Sequence, residues 1–290
     1  MNHAADAALD AFQRERGRLF GIAYRMLGSV REAEDVLQDA YVRWHGVDHA
    51  AVEHPGAYLA RLVTRLCLDV LKSAHARRTE YVGVWLPEPL VGPADDDPAA
   101  VHELADDLSL AFLFLLERLT PVERAVFLLR ESFGFSHREV AGVVGKTEEN
   151  CRQIERRARR KLAEARRPAP ADPEEHDRLF GGFLRAVREG DVEGLVGMLA
   201  EDAVAYSDGG GRARAALNPV HGADRVARLL AGLARKGAPG WETRLVPVNG
   251  RTGLLLFEDG RPRGILAAHV EGGRIVAVFI VVNPDKLPPG

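Results

Sequence analysis

The chain has 290 residues, of which 46% are hydrophobic and 28% charged, and its formal net charge is −3. That length accommodates two or three small domains with real cores, and the near-neutral total excludes a uniformly basic nucleic-acid binder while leaving room for a local basic patch. Two cysteines, Cys67 and Cys151, exclude a disulfide framework; both fall at apolar helical positions and are expected as buried free thiols without a metal.

The N-terminal stretch shows no basic start followed by an apolar run, so no signal peptide is expected. The densest apolar run, LSLAFLFLL at 108–116, is too short to cross a bilayer. A soluble, cytoplasmic protein with no membrane contact is the expectation.

Residues 1–78 read as helix throughout. Ser29 and Glu32 form a Ser-x-x-Glu capping box. The helix behind it puts Ala33, Val36, Leu37, Ala40, Tyr41 and Trp44 on one face and Glu34, Asp35, Gln38 and Asp39 on the other. Pro55 opens a further helix. Its inner side holds Tyr58, Leu59, Leu62, Val63, Leu66, Val70 and Leu71, and its outer side holds Arg61, Arg65, Lys72, Arg77 and Arg78.

Residues 79–105 break the pattern. The run WLPEPLVGPADDDPAA is rich in proline and acid and reads as a linker. Trp85, Leu86, Leu90 and Val91 make it partly apolar, which fits either docking on another surface or local collapse.

Helix returns over 106–167. Thr120, Pro121 and Glu123 supply a cap, a first-turn proline and a box partner. Ser136 and Glu139 start the next helix, Gly145 ends it, and Thr147 caps another. That is a helix–turn–helix. In its second helix Cys151, Ile154, Ala158 and Leu162 point inward, leaving Arg152, Gln153, Arg156, Arg157 and Arg160 outward. Several arginines on one face suit phosphates, and Arg or Gln reads base edges; a solvated basic helix that only packs is the other reading.

A second break, RRPAPADPEE, precedes an α+β region over 174–290. Helices begin at Asp172-Pro173, at Asp191 and at GADRVARLLAGLAR. DAVAYS, WETRLVPV, TGLLLFE, GILAAHVE and RIVAVFIVV read as strands, with DGGG as a turn and a hairpin at Gly272-Gly273. Helices followed by such strands suggest a curved antiparallel sheet wrapped over helices. Asp202, Tyr206, Asp208, His221 and His269 are the candidate acids and bases there, but none sits in a recognisable catalytic motif. His221, placed in a loop, and His269, placed in a strand, read as structural, and no catalytic residue is assigned.

RLFGIAYRMLGSVREAEDVLQDAYVRWH resembles region 2 of the sigma-70 family of initiation factors, and TPVERAVFLLRESFGFSHREVAGVVGKTEENCRQIERRARRKL resembles region 4. The absence of a further DNA-binding domain between them resembles the extracytoplasmic-function (ECF) group. The last segment resembles a SnoaL-like domain, and WLPEPL, DGGG and NPDKL are similar to motifs of the subgroup that carries one. The organisation implied is multidomain. An all-α region 2 (1–78), a linker (79–105) and an all-α region 4 (106–167) precede an α+β SnoaL-like cone (174–290).

The resemblance implies a sigma factor without enzymatic activity, cofactor or metal, whose partners are core RNA polymerase (the β′ clamp and β flap) and promoter DNA. Asp35, Gln38 and Asp39 would meet polymerase. Arg61, Arg65, Lys72, Arg77 and Arg78 would follow the −10 element, although Arg65 stands where the group often has Asn. The 45–54 loop corresponds to the segment that captures an unstacked base, with Trp44 and Tyr58 equally suited to the core. Arg152, Gln153, Arg156, Arg157 and Arg160 would read the −35 element. Trp85, Pro87, Asp208, Gly209, Gly210, Asn283 and Asp285 would join the linker to the cone and regulate activity, with a small ligand in the cone as a further candidate partner. The alternative is a SnoaL-like enzyme or ligand sensor fused to a helix–turn–helix. A linker of about 27 residues extends to roughly 90 Å at about 3.3 Å each. Elements about 17 base pairs apart lie roughly 58 Å apart, so the tether is long enough.

Overall fold

The computed structural model describes residues 2–79, 81–92, 109–164, 171–237 and 241–289, with the side chains of 2–7, 50 and 74–79 left aside. Linker residues 93–105 and the side chains of Arg77 and Arg78 therefore lie outside it. The chain divides into two units: residues 1–79, 96–107 and 113–167 in the first, and residues 80–95, 108–112 and 168–290 in the second.

In the first unit, apolar periodicity and caps produce the expected helices α1 (Asn2–Leu27), α2 (Val30–His45) and α3 (Pro55–Thr79). The Ser29 hydroxyl accepts the Glu32 amide at 3.3 Å and starts α2. The three pack on one another around Leu19, Ile22, Met26, Leu37, Trp44, Leu59 and Val63. Trp44 is core: its indole N–H donates to the Ala8 carbonyl at 2.9 Å, and the His49 and Tyr58 rings lie against it. Cys67 is a buried free thiol, and burial pushes its pKa well up.

After α4 (Leu110–Leu116) come α5 (Pro121–Glu131), α6 (His137–Val144) and α7 (Glu148–Glu164). Thr120–Glu123 and Ser136–Glu139 both close complete capping boxes. Gly145 ends α6 at φ +66°, a left-handed position that favours glycine. Thr147 then accepts the Asn150 amide at 3.2 Å, so α6 and α7 form the helix–turn–helix. α5 packs against α1 and α3, and α6 also meets α3.

In the second unit, α8 (Pro173–Glu189), α9 (Val192–Met198) and α10 (Ala223–Arg235) pack on one face of a six-stranded sheet. Phe180, Phe183, Leu195, Val226 and Leu230 meet Val270, Ile275 and Val278 there. The strands are β1 (Leu199–Asp208), β2 (Val220–His221), β3 (Trp241–Val248), β4 (Arg251–Glu258), β5 (Arg261–Glu271) and β6 (Arg274–Val281), in spatial order β2-β1-β6-β5-β4-β3. Register shifts at Leu199/Val204, Leu256/Phe257 and His269/Val270 bend the strands, giving the helices-under-curved-sheet cone.

Two expectations change. The sheet is mixed, because β1 runs parallel to β6. Hairpin turns fix strand direction only between consecutive strands, and β1 reaches β6 through α10 and four intervening strands. His221 lies in the short strand β2, bonded opposite Val204, instead of in a loop.

Candidate DNA-reading face and a buried aspartate node

The recognition helix presents one groove-lining surface. Arg152, Gln153, Arg156, Arg157 and Arg160 are exposed and together with Glu149 line a single open groove along α7. Arg152 and Arg160 make only long ion pairs with Glu148 and Glu164, at 3.5 and 3.7 Å on the surface, and these leave both free to exchange partners. The opposite face, Cys151, Ile154, Ala158 and Leu162, is buried as its spacing demands.

Arg159 does not belong to that groove. It turns back to Glu155 at 2.9 Å and to Glu131. Burial opposes ionisation of Glu155, but hydrogen bonds from His137 (2.6 Å) and Arg159 outweigh it and hold the carboxyl below its ordinary range. Lys161 similarly pairs with Glu123 at 2.8 Å, tying α7 to α5. These charges tie α7 to α5 and α6.

On region 2, Asp35, Gln38 and Asp39 are exposed along one side of α2. On α3, Arg61 and Lys72 are exposed. Arg65 is engaged: its Nη2 donates to the Gly142 carbonyl at 2.7 Å and its Nε to the Val143 carbonyl at 3.4 Å, at the C-terminal end of α6.

The second unit contains a node that composition does not announce. Asp208 is fully buried, and both of its carboxylate oxygens are saturated. Oδ1 accepts the Tyr81 hydroxyl at 2.6 Å and the Gly210 amide at 3.0 Å. Oδ2 accepts the Leu86 amide at 2.8 Å and Lys286 Nζ at 2.7 Å. Lys286 also donates to the Leu86 carbonyl and sits over the Trp85 and Tyr81 rings, 4.2 and 5.1 Å from their centroids. Asn283 Nδ2 donates to the Tyr81 hydroxyl at 2.9 Å. Burial and the neighbouring Asp208 carboxylate push the Tyr81 phenol above its ordinary pKa.

Glycine is required in this turn. Gly210 has φ +58°, and a Cβ there would lie 2.4 Å from Asn283 Nδ2. A Cβ on Gly209 would lie 2.2 Å from the Ala213 carbonyl oxygen. Asp208 and Gly209 are buried, so the exposed turn expected from DGGG exists only at Gly211. A second dock lies nearby: Asn249 accepts the Leu90 amide through Oδ1 at 3.1 Å and returns its own amide to the Leu90 carbonyl at 2.9 Å. Val91 bridges Val248 beside it.

Of the residues expected to join linker and cone, Trp85, Asp208, Gly209, Gly210 and Asn283 converge here and Pro87 is buried. Asp285 instead pairs with Arg212 at 2.7 Å on the surface. Sequence reasoning missed Tyr81, Asn249 and Lys286. Lys286 stood inside NPDKL, and a lysine in one motif with an acid, Asp208, in another was the available signal.

The other candidate acids and bases do not assemble. Asp202 and His221 are exposed, and Tyr206 stacks on Phe279. His269 is mostly buried, and its Nε2 has no partner among the described residues. Burial, with His176 and Arg251 nearby, holds its pKa down at about 4 against an ordinary 6.5. The unfolded chain thus binds the proton that the folded chain refuses between those values. Stability from this group is intact above pH 6.5 and lost as pH falls toward 4. The span, 6.5 minus 4, corresponds to about 3 kcal/mol. His269→Leu is expected to flatten that limb of the unfolding midpoint against pH; identical acid limbs in both proteins would refute the assignment. Among the described residues no group of His, Cys, Asp and Glu is arranged to hold a metal, and no helix is long and apolar enough to cross a membrane.

Comparison with known proteins places these features. The Sigma-70 region 2 model matches residues 11–78, and the Sigma-70, region 4 model matches residues 109–162. The ECF RNA polymerase sigma factor SigJ of Mycobacterium tuberculosis is 37% identical over 287 residues, covering 95% of this chain and 91% of that protein. The probable ECF sigma factor SigI of the same organism is 33% identical over 286 residues, covering 98% and 96%. The crystal structure of M. tuberculosis SigJ superposes with a TM-score of 0.79 at 34% identity, over 96% of this chain and 97% of that one. Region 2, region 4 with its helix–turn–helix, and nearly the full length of these relatives are all accounted for, and the chain belongs to the ECF sigma factors of the sigma-70 family.

Proposed function

We propose that the chain directs promoter-specific initiation through the α7 face and α3 on DNA, and through the α2 acidic strip on polymerase. The observation that carries the reading is the basic groove along α7, lined by Arg152, Gln153, Arg156, Arg157 and Arg160 beside Glu149. The β′ clamp is the partner suited to Asp35, Gln38 and Asp39, because an exposed acidic strip pairs with a basic surface; the β flap falls to region 4. Catalysis has no part in this reading, which follows the sigma factors the chain resembles.

Run-off transcription with purified core polymerase tests it. The full-length chain is expected to start RNA from its promoter. Asp35→Ala, Gln38→Ala and Asp39→Ala together are expected to weaken capture of core polymerase roughly tenfold at low salt and less at high salt. Undiminished capture would reassign the strip.

The C-terminal unit regulates this activity in our reading. Residues 81–92, which connect region 2 to region 4, are held by Asp208, Lys286 and Asn249. Docking fixes about 12 of the roughly 27 tether residues. The remaining 15 or so reach about 50 Å at about 3.3 Å each, and the docked stretch adds only the fixed span it has on the cone. The cone therefore sets how far regions 2 and 4 can separate. A ligand bound in the cone would act by favouring the docked or the released linker.

A further inference from the structure

β3 ends the sheet in spatial order, so one of its edges has no described strand beside it. The linker covers only the far end of that edge. The Pro247 carbonyl accepts the Gly92 amide at 3.4 Å, the Asn249 amide donates to the Leu90 carbonyl at 2.9 Å, and Val91 bridges Val248. Backbone direction alternates along a strand. Leu245, Thr243 and Trp241 therefore aim their amides and carbonyls to the same open side as Pro247, while Glu242, Arg244 and Val246 bond β4. Among the described residues nothing pairs with that edge between Trp241 and Val246. The side chains are open too: Trp241 is 38% and Leu245 62% exposed, and Glu242, Thr243 and Arg244 are exposed with them.

An open edge is a template for another strand, and proteins commonly block it with charged side chains or proline. The charges here select a partner instead. The run WETRL is its own complement when reversed about Thr243. A second copy laid antiparallel along the edge sets Trp241 against Leu245, Glu242 against Arg244, and Thr243 against Thr243. Each odd-numbered pair then exchanges both backbone bonds, and the Glu242–Arg244 pairs take the positions where side chains approach closest. The two neighbouring registers that keep backbone bonding fail. One opposes Glu242 to Glu242. The other opposes Arg244 to Arg244 and needs the Pro247 carbonyl, which Gly92 holds. Within one chain the Arg244–Glu242 contact is 3.5 Å long and on the surface, so it contributes little and exchanges readily for the crossed pair.

We propose that the open edge of β3 joins two copies of this chain into a two-fold dimer, with Thr243 on the axis. Residues 241–245 extend about 17 Å at about 3.4 Å each. Such a contact stands at the low end of specific interfaces, so the dimer is weak and forms with rising concentration. The linker dock sets its boundary, because residues 90–92 occupy the edge from Pro247 onward.

Sedimentation of the full-length chain over a concentration series tests it, and a monomer–dimer equilibrium is expected. Glu242→Arg and Arg244→Glu each place like charges across the axis, and each should weaken association by about tenfold or more. An equimolar mixture of the two variants should recover it, because the arginines of one then face the glutamates of the other; misfolding of either variant does not produce that recovery. Thr243→Pro should remove the dimer and keep the fold, since that N–H points away from β4 and Pro247 already sits at an equivalent position of the strand. Thr243→Cys should cross-link to its own copy on mild oxidation, Cys67 and Cys151 being buried. A chain that stays monomeric throughout, a dimer indifferent to both charge reversals, or a mixture no more associated than its components overturns the proposal.

Discussion

Asp208→Ala is expected to unfold the linker dock and cost the C-terminal unit about 3–5 kcal/mol, the range found when one partner of a buried ion pair is removed. The carboxylate is fully buried and accepts four hydrogen bonds. Its loss strips the carboxylate from the Lys286 ammonium, itself only 9% exposed, which keeps the Leu86 carbonyl and two aromatic faces among its partners. Asp208→Asn should be nearly as harmful, because it keeps the shape and removes the negative charge that faces the Lys286 ammonium. Amide exchange of Leu86 is the direct readout, since that N–H donates to Asp208 Oδ2. Faster exchange at Leu86, with a lower unfolding midpoint, is the expected pair of results; unchanged Leu86 protection in a folded Asp208→Ala protein would show that the dock has another foundation.

The second large effect concerns α7. Replacing Arg152, Arg156, Arg157 and Arg160 together by alanine is expected to remove −35-dependent promoter binding by the holoenzyme. A bidentate arginine–guanine pair discriminates by about 1–3 kcal/mol. If all four instead meet phosphates, the slope of log K against log salt should fall by about 3.6, at about 0.9 per contact. Thermal stability should change little, because all four side chains are exposed. Arg159→Ala is the internal contrast. It is expected to lower the stability of the helix–turn–helix, since Arg159 holds Glu155 and Glu131, and to leave the salt slope in place. A quadruple variant that binds promoter with an unaltered salt slope would remove α7 from the DNA interface.

The helical elements were legible because their signals are local. Ser136 with Glu139, Thr120 with Glu123, and Gly145 at φ +66° each act within one turn of backbone, and each formed as its spacing demanded. The groove face of α7 was equally legible, since burial of Cys151, Ile154, Ala158 and Leu162 leaves its complement outside. Arg159 was not. It shares the composition of that face, but which arginine an acid captures depends on Glu131, 28 residues away. The parallel pairing of β1 with β6 was hidden for a similar reason, because no turn connects the two strands.

Sequence alone determined the helices, their caps, the exposed basic face and the three motifs around Trp85, Asp208 and Asn283, since each rests on residues within a few positions of one another. Tertiary structure decided which of those groups meet. It placed Asp208 122 residues from the Leu86 amide it accepts, and brought Lys286 to both. It also turned Arg65 from an outward base into the cap of a helix 77 residues away. A buried charge and an orphaned carbonyl take whichever partner packing delivers, and packing is settled by the whole core.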